Sequence, residues 1–177
     1  MKLTQLLDTL SGAIQDPSQG LPEEVFLFLS KITPLVNVDL LIKDDQGRTL
    51  LTWRDDEHHP PSWHVPGGII RFQETLSHRV HTVAKDELGT DVEFNQHPIS
   101  VNEVILPSRK IRGHFISFLY SCTLLSEPAQ NMKYREGTPK AGQWAWHHGC
   151  PNPFIPVQEI YRPFISGDTT AIQGVLK

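Results

Sequence analysis

The chain has 177 residues, a length typical of one domain with its own buried core. Its hydrophobic content of 38% and its charged content of 20% are those of an ordinary globular protein. The net charge of −4 provides no general attraction to nucleic acid or to an anionic membrane, so we expect neither as a partner. An anionic ligand would therefore need a local basic site or a metal ion.

Cysteine usage and the N-terminal sequence bear on the compartment. The two cysteines, Cys122 and Cys150, do not form a disulfide framework, and Cys122 lies in an apolar run that favours a small core residue. No apolar run reaches membrane-spanning length, and the N-terminus lacks the pattern of a signal peptide. We expect a reducing, cytoplasmic location.

The first 32 residues have helical character. Apolar residues at helical spacing predict a helix over residues 3–15, and Pro22 suits the first turn of a second helix that runs through Leu29. We interpret residues 1–32 as an N-terminal helical extension and residues 33–177 as the domain that follows it. The extension could simply pack on the sheet, shape a pocket, or pair with a second subunit in a homodimer.

Strand-like segments dominate the rest of the chain. Aliphatic, β-branched and aromatic residues predict strands over residues 35–43, 48–53, 92–94, 99–106, 114–125 and 143–147. Residues 55–62 are predicted to form a loop, and a short helix is expected near residues 157–165. This order of elements predicts an α/β (α+β) architecture with a mixed β-sheet sandwiched between helices.

A glycine turn followed by a helix stands at the centre of the chain. A short strand-like piece, residues 63–65, leads into Pro66 and the twin glycines Gly67 and Gly68, which readily turn the chain. A helix of about thirteen residues is expected to follow and to end at Gly89, a residue type favoured just past a helix C-terminus. A compact loop and helix of this kind suits a metal ion and a phosphate-bearing ligand.

Acids at the end of this helix are the candidate metal ligands. Glu87 continues an apolar stripe four residues after Val83, where a carboxylate is costly unless it meets a cation or a donor. One interpretation is that Glu87, together with Asp86, holds a hard divalent cation. The alternative is ordinary surface acids, which are common near helix ends. Glu74, at the loop–helix junction, could also serve the helix N-terminus.

The same stretch resembles the signature of the Nudix hydrolases, G-x5-E-x7-R-E-U-x-E-E-x-G-U, in which U is aliphatic. The residues at the required offsets are Gly68, Glu74, Glu87 and Gly89. Asp86 stands for the first of the paired glutamates. Thr82 and Val83 replace the Arg-Glu pair, and Thr90 replaces the final aliphatic residue, so this Nudix box is degenerate. In most of the superfamily the replaced glutamate binds catalytic metal.

One branch of that superfamily, the GDP-mannose mannosyl hydrolases, departs from the signature at the same place. It keeps the glutamate that Glu87 matches, and it cuts at the sugar carbon instead of at phosphorus. The chain is similar to this branch also at residues 33–39, 65–68 and 74–76. The resemblance implies a Nudix fold, a small-molecule nucleotide substrate, and Mg²⁺, with Mn²⁺ as an alternative, bound by Gly67, Asp86 and Glu87.

The resemblance also suggests roles for residues outside the box. It implies catalytic roles for Glu74 and Glu87. Asp39 matches an acid that contacts the nucleotide part of the substrate, and Arg54 matches an arginine that binds the diphosphate, a task that suits the forked guanidinium donors. A solvated strand face and a surface charge are the alternative readings of these two residues.

The general base of that branch has no counterpart here. In the branch it is a histidine in the loop before the last strand, and residues 137–143 contain no histidine. His147, His148 or His58 could replace it. A tryptophan of the last strand, Trp144 or Trp146, could stack on a nucleobase, although core packing is the commoner role of tryptophan.

Two functions follow from these observations. The favoured hypothesis is a Mg²⁺-dependent hydrolase of a nucleoside diphosphate linked to another moiety, such as the nucleotide sugar GDP-mannose. The alternative is a Nudix-fold nucleotide-binding module with little or no turnover, which the degenerate box and the missing base would explain. The basic loop at residues 107–113 could meet a phosphate or could be a solvated turn.

Overall fold

A computed structural model describes residues 2–57 and 59–168 of the chain. The helices are α1 (Leu3–Ala13), α2 (Glu23–Leu29), α3 (Leu76–Val83) and α4 (Arg162–Ser166). The strands are β1 (Leu35–Ile42), β2 (Thr49–Asp56), β3 (His59–His64), β4 (Gly67–Ile69), β5 (Val92–Phe94), β6 (Ser100–Ile105), β7 (His114–Leu124) and β8 (Trp144–His147). A π-helical turn, Ala84–Leu88, continues α3, and a 3₁₀-helical segment, Pro156–Tyr161, precedes α4.

The strands form two sheets. The first has the order β4-β1-β7-β5, with β6 pairing the other part of the long strand β7. Strands β1 and β7 run parallel, and the remaining pairs of this sheet are antiparallel. The second sheet, β3-β2-β8, is antiparallel. Mixed pairing with helices packed on the strands confirms the predicted α+β class, with the strands divided between two sheets.

Apolar side chains pack into two main cores, one for each face of β1. Successive residues of a strand point to opposite faces. Val38, Leu40 and Ile42 therefore pack against the helix α3 and its π-helical turn, whereas Leu41 packs with the C-terminal helical segment. Asp39 shares the alternation of Leu41 and points away from α3. The site described below lies at the glycine turn, where Asp39 and Glu87 both approach Gly67.

The helix of the Nudix-like box begins and ends as the sequence predicts. Thr75 caps its N-terminus by accepting a hydrogen bond from the His78 amide, and Gly89 ends it with a left-handed φ of 67°. Its last turn, however, is a π-helical turn instead of an α-helical one. Such turns are wider and often occur at functional sites, and this one carries Glu87.

The prediction of a loop over residues 55–62 is wrong. Strand β2 continues to Asp56, and β3 begins at His59 and pairs with it. Pro60 and Pro61 suggested a loop because proline cannot donate a backbone hydrogen bond. Strand β3 lies at the edge of its sheet, where proline is tolerated.

The N-terminal helices differ in how they pack. Helix α1 buries no side chain, whereas α2 buries Val25 and places Phe26 against a small cluster of Leu35, Val104 and Phe115. The division into an extension and a domain stays a prediction. Within the described part of the chain, none of the helices combines the length and apolar character needed to cross a membrane.

The contact between β4 and α3 leads to a first prediction. A Cβ atom on Gly68 would lie 2.7 Å from Cγ2 of the buried Val83 and 3.1 Å from Cδ of Arg79. Val83 is stiff and cannot move aside without shifting the helix. We expect Gly68→Ala to lower the free energy of unfolding by about 1–3 kcal/mol in urea denaturation.

Gly12→Ala is the matched control. A Cβ atom there would meet nothing within 4 Å, and residue 12 lies in α1. We expect this change to raise the free energy of unfolding by no more than about 1 kcal/mol relative to the wild type. Equal effects of the two substitutions would contradict the close approach of the helix to Gly68.

Candidate functional site

A cavity of about 180 Å³ opens beside the glycine turn, between the two sheets. Its lining comes from strands β1, β3, β4, β6 and β7, the end of β2, the loop between β6 and β7, and the C-terminal 3₁₀ segment. Its polar and charged lining residues are Asn37, Asp39, Arg54, His59, His64, Arg112, Ser117, Gln158 and Tyr161. Apolar side chains, among them Val104, Phe115 and Ile155, complete the walls.

Gly67 brings two acidic side chains close together. Its amide donates a hydrogen bond to Glu87 Oε1 at 3.0 Å. A Cβ atom at this position would collide with Asp39 Oδ1 and would lie 2.9 Å from the carbonyl oxygen of Val38. Only glycine therefore allows Asp39 and Glu87 to flank the same point of the backbone.

Glu87 is held by hydrogen bonds from two other parts of the chain. Its second oxygen, Oε2, accepts a hydrogen bond from Thr52 Oγ1 at 2.9 Å. Burial raises the pKa of Glu87 to about 7, against the lowering effect of the Gly67 and Thr52 donors. No lysine or arginine of residues 2–57 and 59–168 forms an ion pair with it, although 25% of the side chain is accessible.

His64 and Glu87 compete for the single hydroxyl hydrogen of Thr52. His64 Nδ1 lies 2.9 Å from the carbonyl oxygen of Val65, which can only accept, so this nitrogen carries the ring hydrogen. Burial lowers the pKa of His64 to about 4, so Nε2 of the neutral ring is an acceptor, and Thr52 Oγ1 lies 2.9 Å from it. Thr52 donates to one of the two groups at a time. When it donates to His64, a protonated Glu87 can donate to Thr52 Oγ1.

Asp39 organises the opposite wall of the cavity. The carboxylate is 2% exposed and accepts from Asn37 Nδ2 at 2.8 Å, Tyr161 OH at 2.7 Å, Gln158 Nε2 at 3.0 Å, and Ser117 Oγ. Burial raises the pKa of Asp39 to about 6 even though these donors act in the opposite direction. Three of these donors contact Oδ2 and one contacts Oδ1, so Asp39 ties β1 and β7 to the C-terminal segment.

Arg54 lies at the rim of the same cavity. Its side chain forms an ion pair with Asp56, and its charge acts favourably on the ionised form of Glu87. The structure thus places Asp39, Arg54, Gly67 and Glu87 around one cavity or beside it. The roles expected of these residues in substrate and metal binding stay predictions.

Other candidate residues lie elsewhere. Glu74 accepts two hydrogen bonds from Arg79, at 2.6 and 2.8 Å, and only 8% of its side chain is exposed. Asp86 is exposed on the last turn of the box helix. Neither residue lines the cavity.

Of the candidate bases, His147 and His148 do not line the cavity either. His147 packs edge-on against the ring of Trp63 with a centroid distance of 4.5 Å, and burial lowers the pKa of His147 to about 4. His148 is exposed, and His58 lies outside the described residues. The general-base role stays a prediction that this geometry does not support. Trp144, a candidate for base stacking, is fully buried in the core beside α3.

The donor set fits a loosely held Mg²⁺ ion. The described residues contain no group of three or more His, Cys, Asp or Glu side chains that could hold a metal. Glu87 and a backbone carbonyl at Gly67 would be the protein ligands. Mg²⁺ prefers oxygen, keeps several waters and often binds through one or two carboxylates plus substrate phosphates. A partly buried carboxylate that forms no ion pair with a lysine or arginine of the described residues suits such a site.

Several residues of the site had no clear signal in the sequence. Thr52 and His64 sit inside predicted strands, and Gln158 and Tyr161 come from a C-terminal segment more than 100 residues from Asp39. The basic loop at residues 107–113 was a candidate for phosphate contact, and its Arg112 lines the cavity.

The fold combines a glycine turn and a helix with a mixed sheet, and the site adds a cavity lined by polar and charged side chains. A family model described as NUDIX domain matches residues 33–149, about two thirds of the chain. The chain therefore belongs to the Nudix family.

Relatives and solved structures agree with this assignment. A Haloferax volcanii protein described as "Low-salt glycan biosynthesis protein Agl8" is 30% identical over 112 residues, which cover 61% of this chain and 70% of that protein. A MutT Nudix hydrolase from Burkholderia pseudomallei superposes with a TM-score of 0.57 at 20% identity, covering 81% of this chain and 98% of that one. A UDP-X diphosphatase superposes with a TM-score of 0.56 at 15% identity, covering 98% and 91%. At these identities the two structures show the fold alone.

The raised pKa of Glu87 predicts a pH-dependent cost in stability. The folded protein binds more protons than the unfolded chain between pH 4.5 and about pH 7, so the free energy of unfolding falls as the pH rises through this window. Gln mimics the protonated acid, because its oxygen can accept from Gly67 and its amide can donate to Thr52. We expect Glu87→Gln to gain about 1–3 kcal/mol of stability relative to the wild type between pH 4.5 and pH 8.

Urea denaturation of both proteins across this pH range measures the difference, in which the titration of Asp39 and of other shared groups largely cancels. Asp86→Asn is the matched control, because its side chain is exposed one residue away on the same turn. A Glu87→Gln difference that is flat with pH, like that of the control, would show that the Glu87 pKa is not raised.

Proposed function

We propose that this protein is a divalent-metal-dependent hydrolase of a nucleoside diphosphate linked to another moiety. The observation that carries the proposal is the partly buried Glu87 carboxylate beside the Gly67 amide. It forms no ion pair with a lysine or arginine of the described residues, and it lies next to a cavity with an arginine at its rim. Membership of the Nudix family supports a hydrolase of small-molecule nucleotides that uses Mg²⁺, with Mn²⁺ as an alternative.

The residues would divide the work in the following way. Glu87 and the carbonyl of Gly67 would hold the metal ion, which when bound would neutralise charge on the diphosphate. Arg54 would contact the same diphosphate through its forked donors, because it lies at the cavity rim close enough to influence Glu87. Asp39 would keep the wall of the cavity in place through its four hydrogen-bond donors.

A nucleotide sugar is the substrate class that we favour, with GDP-mannose as one example. The name of the Haloferax relative refers to glycan biosynthesis, and that of one structural neighbour refers to a UDP-linked compound. A cavity of about 180 Å³ is smaller than the usual pockets for small molecules, roughly 300–1,000 Å³, so it would take one ring of the substrate and leave the rest in the open cleft.

The site of attack follows from the products. Attack of water on the sugar carbon releases a nucleoside diphosphate and the free sugar, whereas attack on phosphorus releases a nucleoside monophosphate and a sugar phosphate. We propose attack at carbon, because the box lacks the same glutamate as the mannosyl hydrolases and retains Glu87.

Hydrolysis of GDP-mannose in H₂¹⁸O with Mg²⁺, followed by mass spectrometry of the products, tests this proposal. We expect the label in the sugar and none in the phosphates. Label in a phosphate product would instead show attack at phosphorus. A panel of other nucleotide sugars, assayed in the same way, identifies the preferred base and sugar.

A pair of neighbouring acids tests the metal site. Glu87→Gln removes the anionic ligand while preserving the neutral hydrogen bonds, so we expect kcat/KM to fall by about 10²-fold or more, corresponding to about 3 kcal/mol. Asp86→Asn changes an exposed acid, and we expect it to retain activity within about threefold. Steady-state assays over a range of Mg²⁺ concentrations make the comparison.

Two results would count against the proposal. Equal losses of kcat/KM in both variants would indicate that Asp86 also binds the metal ion. Nucleotide binding in calorimetry, without any metal-dependent product across the panel, would favour the alternative of a Nudix-fold binding module. The cytoplasmic location, the homodimer and the absence of nucleic-acid and membrane partners stay predictions.

A further inference from the structure

Val65 follows the last residue of β3 and is fully buried, so its backbone amide and carbonyl both need hydrogen-bond partners. Two residues earlier, the backbone of Trp63 pairs in parallel with the C-terminal segment. The Trp63 amide donates to the Pro153 carbonyl at 3.1 Å, and the Ile155 amide donates to the Trp63 carbonyl at 2.9 Å. A parallel ladder continued by one pair would supply Val65 with the Ile155 carbonyl and the Val157 amide.

The C-terminal segment turns away before it can supply those partners. Its 3₁₀ helix begins at Pro156, a residue type without an amide hydrogen. The Ile155 carbonyl, which would accept from Val65 in a continued ladder, instead accepts from the backbone amide of Gln158 at 3.0 Å. The backbone ladder therefore ends one pair short of Val65.

The side chain of Gln158 takes the place of the missing pair. Its Oε1 accepts from the Val65 amide at 2.7 Å, and its Nε2 donates to the Val65 carbonyl at 3.1 Å. The same Nε2 donates to Asp39 Oδ1 at 3.0 Å. Because a backbone amide only donates and a backbone carbonyl only accepts, these partners fix which end of the Gln158 side chain is oxygen. One side chain thus satisfies both backbone groups of Val65 and contacts Asp39.

Val65 is the first residue of the turn that ends at the proposed metal site. The next residue, Pro66, is held through its carbonyl, which accepts from the Leu40 amide at 2.8 Å. The residue after it, Gly67, donates its amide to Glu87 Oε1 at 3.0 Å. With Val65 fixed by a side chain and Pro66 fixed by β1, the backbone of Gly67 has little freedom to move relative to Glu87.

We propose that Gln158 is a positioning residue, whose side chain replaces a strand pair and holds the glycine turn in place against Glu87. It acts through the backbone of Val65 and needs no contact with the metal ion in this role. The consequence for catalysis rests on the proposed function, in which Glu87 and the carbonyl of Gly67 hold that ion. Loss of the Gln158 amide frees the turn, so the affinity for the metal ion falls.

NMR of the wild type tests the hydrogen bond itself. A long-range HNCO experiment detects scalar coupling across a hydrogen bond, here from the Val65 amide nitrogen to the side-chain carbonyl carbon of Gln158. The bond from the Trp63 amide to the Pro153 carbonyl is the internal control, because it is longer, at 3.1 Å against 2.7 Å. We expect both correlations. The control correlation without the one from Val65 to Gln158 overturns the inference, and it does so without any variant.

Amide hydrogen exchange of Gln158→Met tests the positioning of the turn. Met preserves the length of the side chain and removes its donors and acceptor. The reporter is the Gly67 amide, which bonds to Glu87 and which the Gln158 side chain does not contact. We expect it to exchange about tenfold faster than in the wild type after division by the acceleration of the Leu119 amide in β7. A merely structural role would accelerate Leu119 at least as much, because that core amide follows global unfolding.

Tyr161→Phe is the matched control within the same segment. The Tyr161 hydroxyl also donates to Asp39, at 2.7 Å, but it does not contact Val65, and Phe keeps the packing of the ring. We expect the normalised exchange of the Gly67 amide to stay within about threefold of the wild type. An effect equal to that of Gln158→Met would show that attachment of the segment to Asp39, and not the pairing with Val65, holds the turn.

Steady-state assays test the consequence for catalysis. We expect Gln158→Met to raise the Mg²⁺ concentration for half-maximal rate about tenfold and to leave KM for the nucleotide sugar at saturating Mg²⁺ within about threefold. Gln130→Met is the control for activity, because Gln130 also lies in a 3₁₀ segment and donates to a backbone carbonyl, yet it is exposed and does not line the cavity. A rise in KM alone would assign Gln158 to substrate contact and overturn the positioning role.

The outcomes separate this inference from the proposed function. The coupling from Val65 to Gln158, with faster exchange of the Gly67 amide in Gln158→Met alone, supports the positioning of the turn even if no nucleotide sugar is hydrolysed. Normalised exchange that is unchanged in Gln158→Met overturns it even if Mg²⁺-dependent hydrolysis is found. If Gln158→Met does not fold, the coupling measured in the wild type decides.

Discussion

The hydrogen bond from the Gly67 amide to the Glu87 carboxylate is the contact on which the site depends. It joins the wide last turn of the box helix to the glycine turn and holds an acid where burial opposes its ionised form. A structure that keeps such a group accepts lower stability at neutral pH, which is a common cost of a functional site. Glycine is required at this point because Asp39 approaches from the other side.

Charge is distributed unevenly around the cavity. The acids Glu87 and Asp39 lie beside the glycine turn, where burial raises both pKa values, and the arginines lie at the rim. The histidines His59, His64 and His147 are neutral, since burial lowers the pKa of each to about 4. The positive charge of the rim therefore comes from guanidinium groups, which stay ionised at every physiological pH.

Local patterns predicted the parts of the fold that depend on neighbouring residues. The box helix, its Gly89 terminus and most strands were predictable because helix caps and apolar periodicity act within a few residues. The first part of the strand at residues 59–64 was missed because its prolines are tolerated only at a sheet edge, and edge position depends on the order of strands. Tertiary packing also decides the role of His147. The sequence offered it as a candidate general base, yet its ring packs on Trp63.

The sequence by itself determined the family, the glycine turn and the helix that carries Glu87, because the spacing of Gly68, Glu74, Glu87 and Gly89 is a local property of the chain. Only the tertiary structure decided what surrounds that acid. Thr52 lies 35 residues from Glu87 along the chain, and Gln158 lies 119 residues from Asp39. Contacts over such separations are formed by strand pairing and core packing, and a single sequence carries no local signal for them.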